Sequence, residues 1–145
     1  MSRRTSIAKA LAAKLATIDG TGAFKSNVFG NAKSYMKFWD EVNNFPCIYM
    51  TNGTEVREYH PGGFAWGFLN ISLKVYAKGE DSAAMLEDLL EDMELVINAN
   101  RDLVYDEVTG QDTTEILITS ITTDEGLLAP YAIGEMNLQV RYAVV

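Results

Sequence analysis

The chain has 145 residues, 48% of them apolar, with a formal net charge of -8. That balance excludes an intrinsically disordered chain, which would be poorer in apolar residues. It also disfavours wrapping around nucleic acid, which needs clustered Lys and Arg to neutralise phosphates, and the only basic cluster here is Arg3-Arg4.

No run of about 18 apolar residues occurs and charges interrupt the N-terminal apolar stretch, so neither a membrane span nor a signal peptide is expected. The length suits one domain over residues 1–145. In chain order, the first expected element is a helix over 5–18, with Ile7, Leu11, Leu15 and Ile18 on one face, Thr5 or Ser2 as N-cap and Asp19-Gly20 as terminator. "AFKSNVFG" (23–30) suits a short strand and "AKSYMKFWDEV" (32–42) a turn or two of helix. "PCIYM" (46–50) reads as a strand, and Asn52-Gly53 is a strong hairpin signal joining it to "TEVREY". "HPGGFAW" (60–66) reads as a loop made mobile by Gly62-Gly63, in which Phe64 and Trp66 would be unusually apolar if exposed.

"LNISLKVY" (69–76) alternates as a half-buried strand does. The segment 82–98, "SAAMLEDLLEDMELVIN", is the strongest helix: Met85, Leu86, Leu89, Leu90, Met93, Val96 and Ile97 fall on one side at about 100° per residue. "EILITSIT" (115–122) is apolar at consecutive positions and suits a strand covered on both faces, and "MNLQVRYAV" (136–144) alternates again. The expected class is α+β, a mostly antiparallel sheet with the N-terminal helix and the long amphipathic helix packed against it.

The far side of that helix carries Glu87, Asp88, Glu91, Asp92 and Glu94 with no Lys or Arg among them. Pairs such as Glu87/Glu91 repel, at about 0.2–0.5 kcal/mol each in an isolated helix, so something other than helix stability favours the pattern. Within the arc sits Leu95, either a scattered surface leucine, which is common, or a contact with another chain.

Catalytic chemistry has little support. Cys47 is the only cysteine and His60 the only histidine, thirteen residues apart and without the signature of a cysteine enzyme. A free cysteine behind Pro46 is far more often a small buried hydrophobe. The residues offer no zinc set, no calcium-loop spacing among the acids and neither GxGxxG nor GxxxxGK[ST]. No cofactor or metal is expected.

The order "FWDEVNNFPCIYM", a glutamate-bearing hairpin at Glu55, "LNISLKVYAKG", "AMLEDLLEDMELVI" and two C-terminal strands resembles the tail terminator family of long-tailed bacteriophages. Trp39, Val42, Phe45, Pro46, Tyr49, Val75, Tyr76, Ala77, Leu86, Leu89 and Leu90 carry the resemblance, which covers about residues 35–145. "RDLVYDEVTGQDT" and "YHPGGFAW" depart from it. The resemblance implies a structural virion protein at the head-proximal end of the tail. Such a protein forms a hexameric ring that caps the tail tube, ends its polymerisation and meets a neck or head completion protein. Its expected partners are copies of itself, the tail tube protein and that neck protein, with DNA passing through unbound. A closed ring repeats one heterologous contact, so two unlike patches are required. The candidates are Leu95 and the loop residues His60, Phe64 and Trp66, with Arg3 and Arg4 beside them. The acidic face is a candidate lumen lining. The rival readings are another head–tail connector, and a small acidic enzyme or ligand-binding domain using His60 and Trp66.

Overall fold

The structure, a computed structural model, describes residues 1–144. Ser2 starts the first helix, α1 (Arg3–Leu15): its Oγ accepts from the Thr5 N–H at 3.1 Å, the capping geometry expected of a serine. Thr5 is therefore inside the helix, and Ile18 is buried in the coil beyond its end. Segment 23–30 forms turns held by a bridge between Asp19 and Asn27 instead of a strand. Segment 32–42 holds a two-residue strand, β1 (Ala32–Lys33), and a 3₁₀ turn (Trp39–Glu41) in place of α-helix.

The remaining elements are β2 (Cys47–His60), β3 (Phe64–Lys78), α2 (Ser82–Ala99), β4 (Val104–Asp106), β5 (Gln111–Thr123) and β6 (Tyr131–Ala143). They make one six-stranded sheet in the order β1-β2-β3-β6-β5-β4. This corrects the expected fold class. The chain is dominated by strands of up to 15 residues, the sheet is mixed because β1 runs parallel to β2, and the helices, 13 and 18 residues long, are short beside it. The strands outrun expectation because alternation continues past the stretches that announce it. β3 buries every second residue from Ala65 to Ala77, and β6 from Ala132 to Tyr142.

The Asn52-Gly53 hairpin is also corrected. β2 runs straight through this pair, with a register irregularity between Asn52 and Glu55, so the glycine marks a bulge. The reversal lies at Pro61-Gly62-Gly63, where φ of +92° and +83° at the two glycines supplies the left-handed backbone that other residues resist. The mobile loop expected over 60–66 is thus a tight turn followed by strand.

Leu86, Leu89, Met93 and Ile97 of α2 cover one face of β3 and β6, while Ile7, Leu11 and Leu15 of α1 pack beside them over β1, β2 and β4, in one core with Leu69, Ile71, Leu73, Met136, Leu138 and Val140. Met85, expected in this stripe, is 38% exposed at its rim. β5 is not covered on both faces: Ile116 is buried, but Leu117 points to the side away from the helices and is 42% exposed, and Ile121 is 41% exposed because α2 lies over β6 and β3 and reaches little of β5.

A smaller cluster on the other face joins Val42, Cys47, Tyr49 and Tyr76. Cys47 has no exposed surface, and burial pushes its thiol up to about 12. A thiol reagent at neutral pH should therefore label the chain only after denaturant unfolds it. Labelling of the native chain at the rate of an exposed thiol would contradict this placement.

Candidate assembly surfaces

Three surfaces hold the side chains singled out from the sequence. The first is a groove of about 480 Å³ between α2 and β5. α2 presents Glu87, Asp88, Glu91, Glu94 and Leu95 to it, and Ile121 closes the far wall. Leu95 is 44% exposed, so with Ile121 it forms an apolar floor ringed by carboxylates. Among the described residues the cation paired with these acids is Lys25, whose Nζ lies 2.9 Å from Glu91 Oε1; that partner holds the ammonium above its ordinary value.

Asp92 does not belong to this face. It is fully buried, and its carboxylate accepts from the backbone N–H of Lys25 (3.1 and 3.0 Å) and of Ser26 (2.7 Å). The acid fastens the 24–26 turn to α2 and satisfies donors that would otherwise be lost.

The second surface is a basic corner at the start of α1. Arg3, Arg4, Arg57 and Tyr142 line a recess of about 420 Å³ with Met1 and Ser2. Arg3 donates to the Val144 carbonyl and Arg4 to that of Gly53. Beneath them lies Glu55, its side chain 5% exposed, ion-paired with Arg57, 3.9 Å from Arg4 Nε and accepting from the Tyr142 hydroxyl at 2.7 Å. Burial first, and then the Glu55 carboxylate, pushes the Tyr142 hydroxyl up to about 12. Gly67 is required below this corner, since a Cβ there would stand 2.9 Å from both Tyr142 Cε1 and Val144 Cγ2.

The third surface is the outer face of the β2–β3 hairpin. Register sets His60 opposite Phe64, Glu58 opposite Trp66 and Val56 opposite Phe68. Phe64 and Trp66 meet edge to face at 4.8 Å, and the Arg141 guanidinium covers the Trp66 ring at 4.7 Å. Both rings are half-buried, while Val56 on the same face is 58% exposed. His60 Nε2 lies 2.8 Å from Glu58 Oε1, at the opposite end of β2 from Cys47, which is enclosed in the Tyr76 cluster. Thus His60, Phe64 and Trp66 come together, Leu95 joins four of the five acids, and Arg3 and Arg4 stand apart with Arg57.

Arg57, Glu55, Tyr142 and Ile121 were not singled out as site residues from the sequence. Alternation in β5 could have exposed Ile121, but only cross-strand register brings Arg57 and Tyr142 beneath α1. No cluster of three or more His, Cys, Asp or Glu able to hold a metal occurs among the described residues, and none of their helices is long and apolar enough to cross a membrane.

Charged and apolar patches of this kind suit a protein that works through docking. The chain belongs to the bacteriophage tail tube terminator protein family, whose profile matches residues 1–145, including the N-terminal helix. It is 36% identical over 152 aligned residues to the tail tube terminator protein p142 of Escherichia phage T5, covering 98% of this chain and 94% of that protein. Its fold is similar to a chain in the virion of a native gene transfer agent particle, with a TM-score of 0.51 at 14% identity, over 98% of this chain and 95% of that one. The chain is thus a structural protein of the phage tail and not an enzyme.

Proposed function

We propose that copies of this chain, each one domain over residues 1–145, close into a hexameric ring that caps the tail tube. The ring ends tube polymerisation and offers the surface on which a neck or head completion protein joins the head, with DNA passing through its centre. Membership of the tail tube terminator family supports the capping role. The observation that carries the ring is the presence on one chain of two unlike patches, the Leu95–Ile121 groove and the arginine corner. A closed ring needs one such heterologous contact, repeated. The outer hairpin face, with Phe64, Trp66 and exposed Val56, then remains free for the tail tube or the neck partner.

Mass measurement of the purified protein, alone and with tail tube subunits, tests this. A ring mass and capture of tube ends are expected; a monomer that neither forms rings nor joins tubes would overturn the reading. Particles lacking the protein should carry overlong tubes, and normal-length tails left unattached would assign it to the neck instead. Leu95→Glu should leave the melting temperature of the subunit within about 1–2 °C, as for a surface change, while weakening assembly. Loss of subunit stability would place Leu95 in the core.

A further inference from the structure

We infer that the acidic groove of one copy docks on the arginine corner of the next, so that these two patches are the two halves of the subunit contact. The inference rests on the ring reading and names its interface. Charge complementarity carries it. In a chain of net charge -8, Arg3, Arg4 and Arg57 face a single carboxylate, Glu55, at one recess. At the other, among the described residues, Glu87, Asp88, Glu91 and Glu94 have one ion-pair partner, Lys25 on Glu91. Each corner lacks the charges that the other has in excess, and the apolar floor formed by Leu95 and Ile121 supplies area to bury between them.

Geometry forbids the contact within one copy. Arg57, Gly67 and Tyr142 share one row of the sheet, while Ile121, Met136, Leu73 and Met50 share another. The rows are six residues apart along β6, about 20 Å. The two patches therefore lie toward opposite ends of the helix-covered face, on strands separated by β3 and β6. Patches so placed can meet only between copies, in the head-to-tail manner that builds rings. The pairing also accounts for the unrelieved like charges along α2, whose compensation lies on the neighbour.

Glu87 and Glu94 make no ion pair among the described residues, and lysines there relieve repulsion along α2. Glu87→Lys with Glu94→Lys should keep the subunit folded, as circular dichroism would show, and raise the concentration for half-assembly by about a hundredfold, since like charges then meet across the contact. Arg3→Glu with Arg4→Glu should raise it likewise, with a lower melting temperature because Glu55 loses Arg4 and keeps Arg57. The chain carrying all four substitutions restores opposite charge at every contact and should recover at least tenfold of the loss. Assembly of the wild type should also weaken as salt rises. Wild-type rings that are insensitive to the groove substitutions would overturn the inference while leaving the ring standing, and would favour a lumen-facing acidic surface. Failure of the fourfold variant to regain assembly, with both pairs disruptive alone, would equally overturn it. A wild type that stays monomeric removes the ring reading and this contact together.

Discussion

Replacing Asp92 by alanine should lower the unfolding free energy by about 3–5 kcal/mol, enough to consume much of the stability of an ordinary domain. The Asp92 carboxylate is buried and accepts from the backbone N–H groups of Lys25 and Ser26, 67 and 66 residues away in sequence. Hydrogen bonds to an ionised acceptor contribute more than neutral ones, and removing the acceptor strands two donors in a space that alanine leaves too small to solvate well. Asp92→Asn is the informative companion. It keeps one acceptor oxygen but turns an amide NH₂ toward a donor, so it should retain part of the stability and fall between wild type and alanine. Denaturant midpoints at constant slope would measure both. An alanine variant within about 0.5 kcal/mol of wild type would mean that Asp92 is solvated like the acids beside it.

The same residue shows where sequence reading stops. The boundaries of α2 were legible to within a residue because a strong 3.6-residue period runs through seven apolar positions. Asp92 lies at the rim of that stripe, about 40° from Val96 and close to Met85. Periodicity places a rim residue on either side. Met85 turns out, and Asp92 turns in because the 24–26 turn arrives over it, bringing donors that an acid can accept from and a methionine cannot. Nothing local to either segment announces that meeting. Asn52-Gly53 failed for a related reason. The pair suits a two-residue turn, yet alternation on both sides lets β2 continue against β3, and the stronger demand for left-handed backbone falls at Gly62 and Gly63. Among the surfaces, Leu95 and the acids were legible because one helix face holds them. The arginine corner was half legible. Arg3-Arg4 stands out in the sequence, but Arg57 and Glu55 reach it through a register set more than 50 residues later.

Glu55→Gln should cost about 2–4 kcal/mol and flatten the alkaline limb of the stability curve. The Glu55 side chain is 5% exposed and serves Arg57, Arg4 and the Tyr142 hydroxyl at once. Breaking a buried pair by neutralising one partner strands the others; the figure stays below that of a fully buried pair because Arg57 and Arg4 are 39% and 40% exposed and keep water. The pH dependence follows from Tyr142. Its hydroxyl is held up to about 12 in the folded chain, against about 10 when unfolded, so folding favours the neutral phenol. The stability this contributes is complete below pH 10 and is lost as pH rises from 10 to 12, where the unfolded chain releases its proton first. Burial is the largest cause of that shift and the Glu55 carboxylate the next, with Arg57 and Arg3 opposing them. Glutamine removes the second part, so the variant should lose stability less steeply than wild type over that window, although it starts lower. Melting temperatures of both chains at intervals from pH 8 to 12 would show the two curves converging. Parallel curves would mean that Glu55 does not act on Tyr142. In that event the carboxylate would serve Arg57 and Arg4 alone.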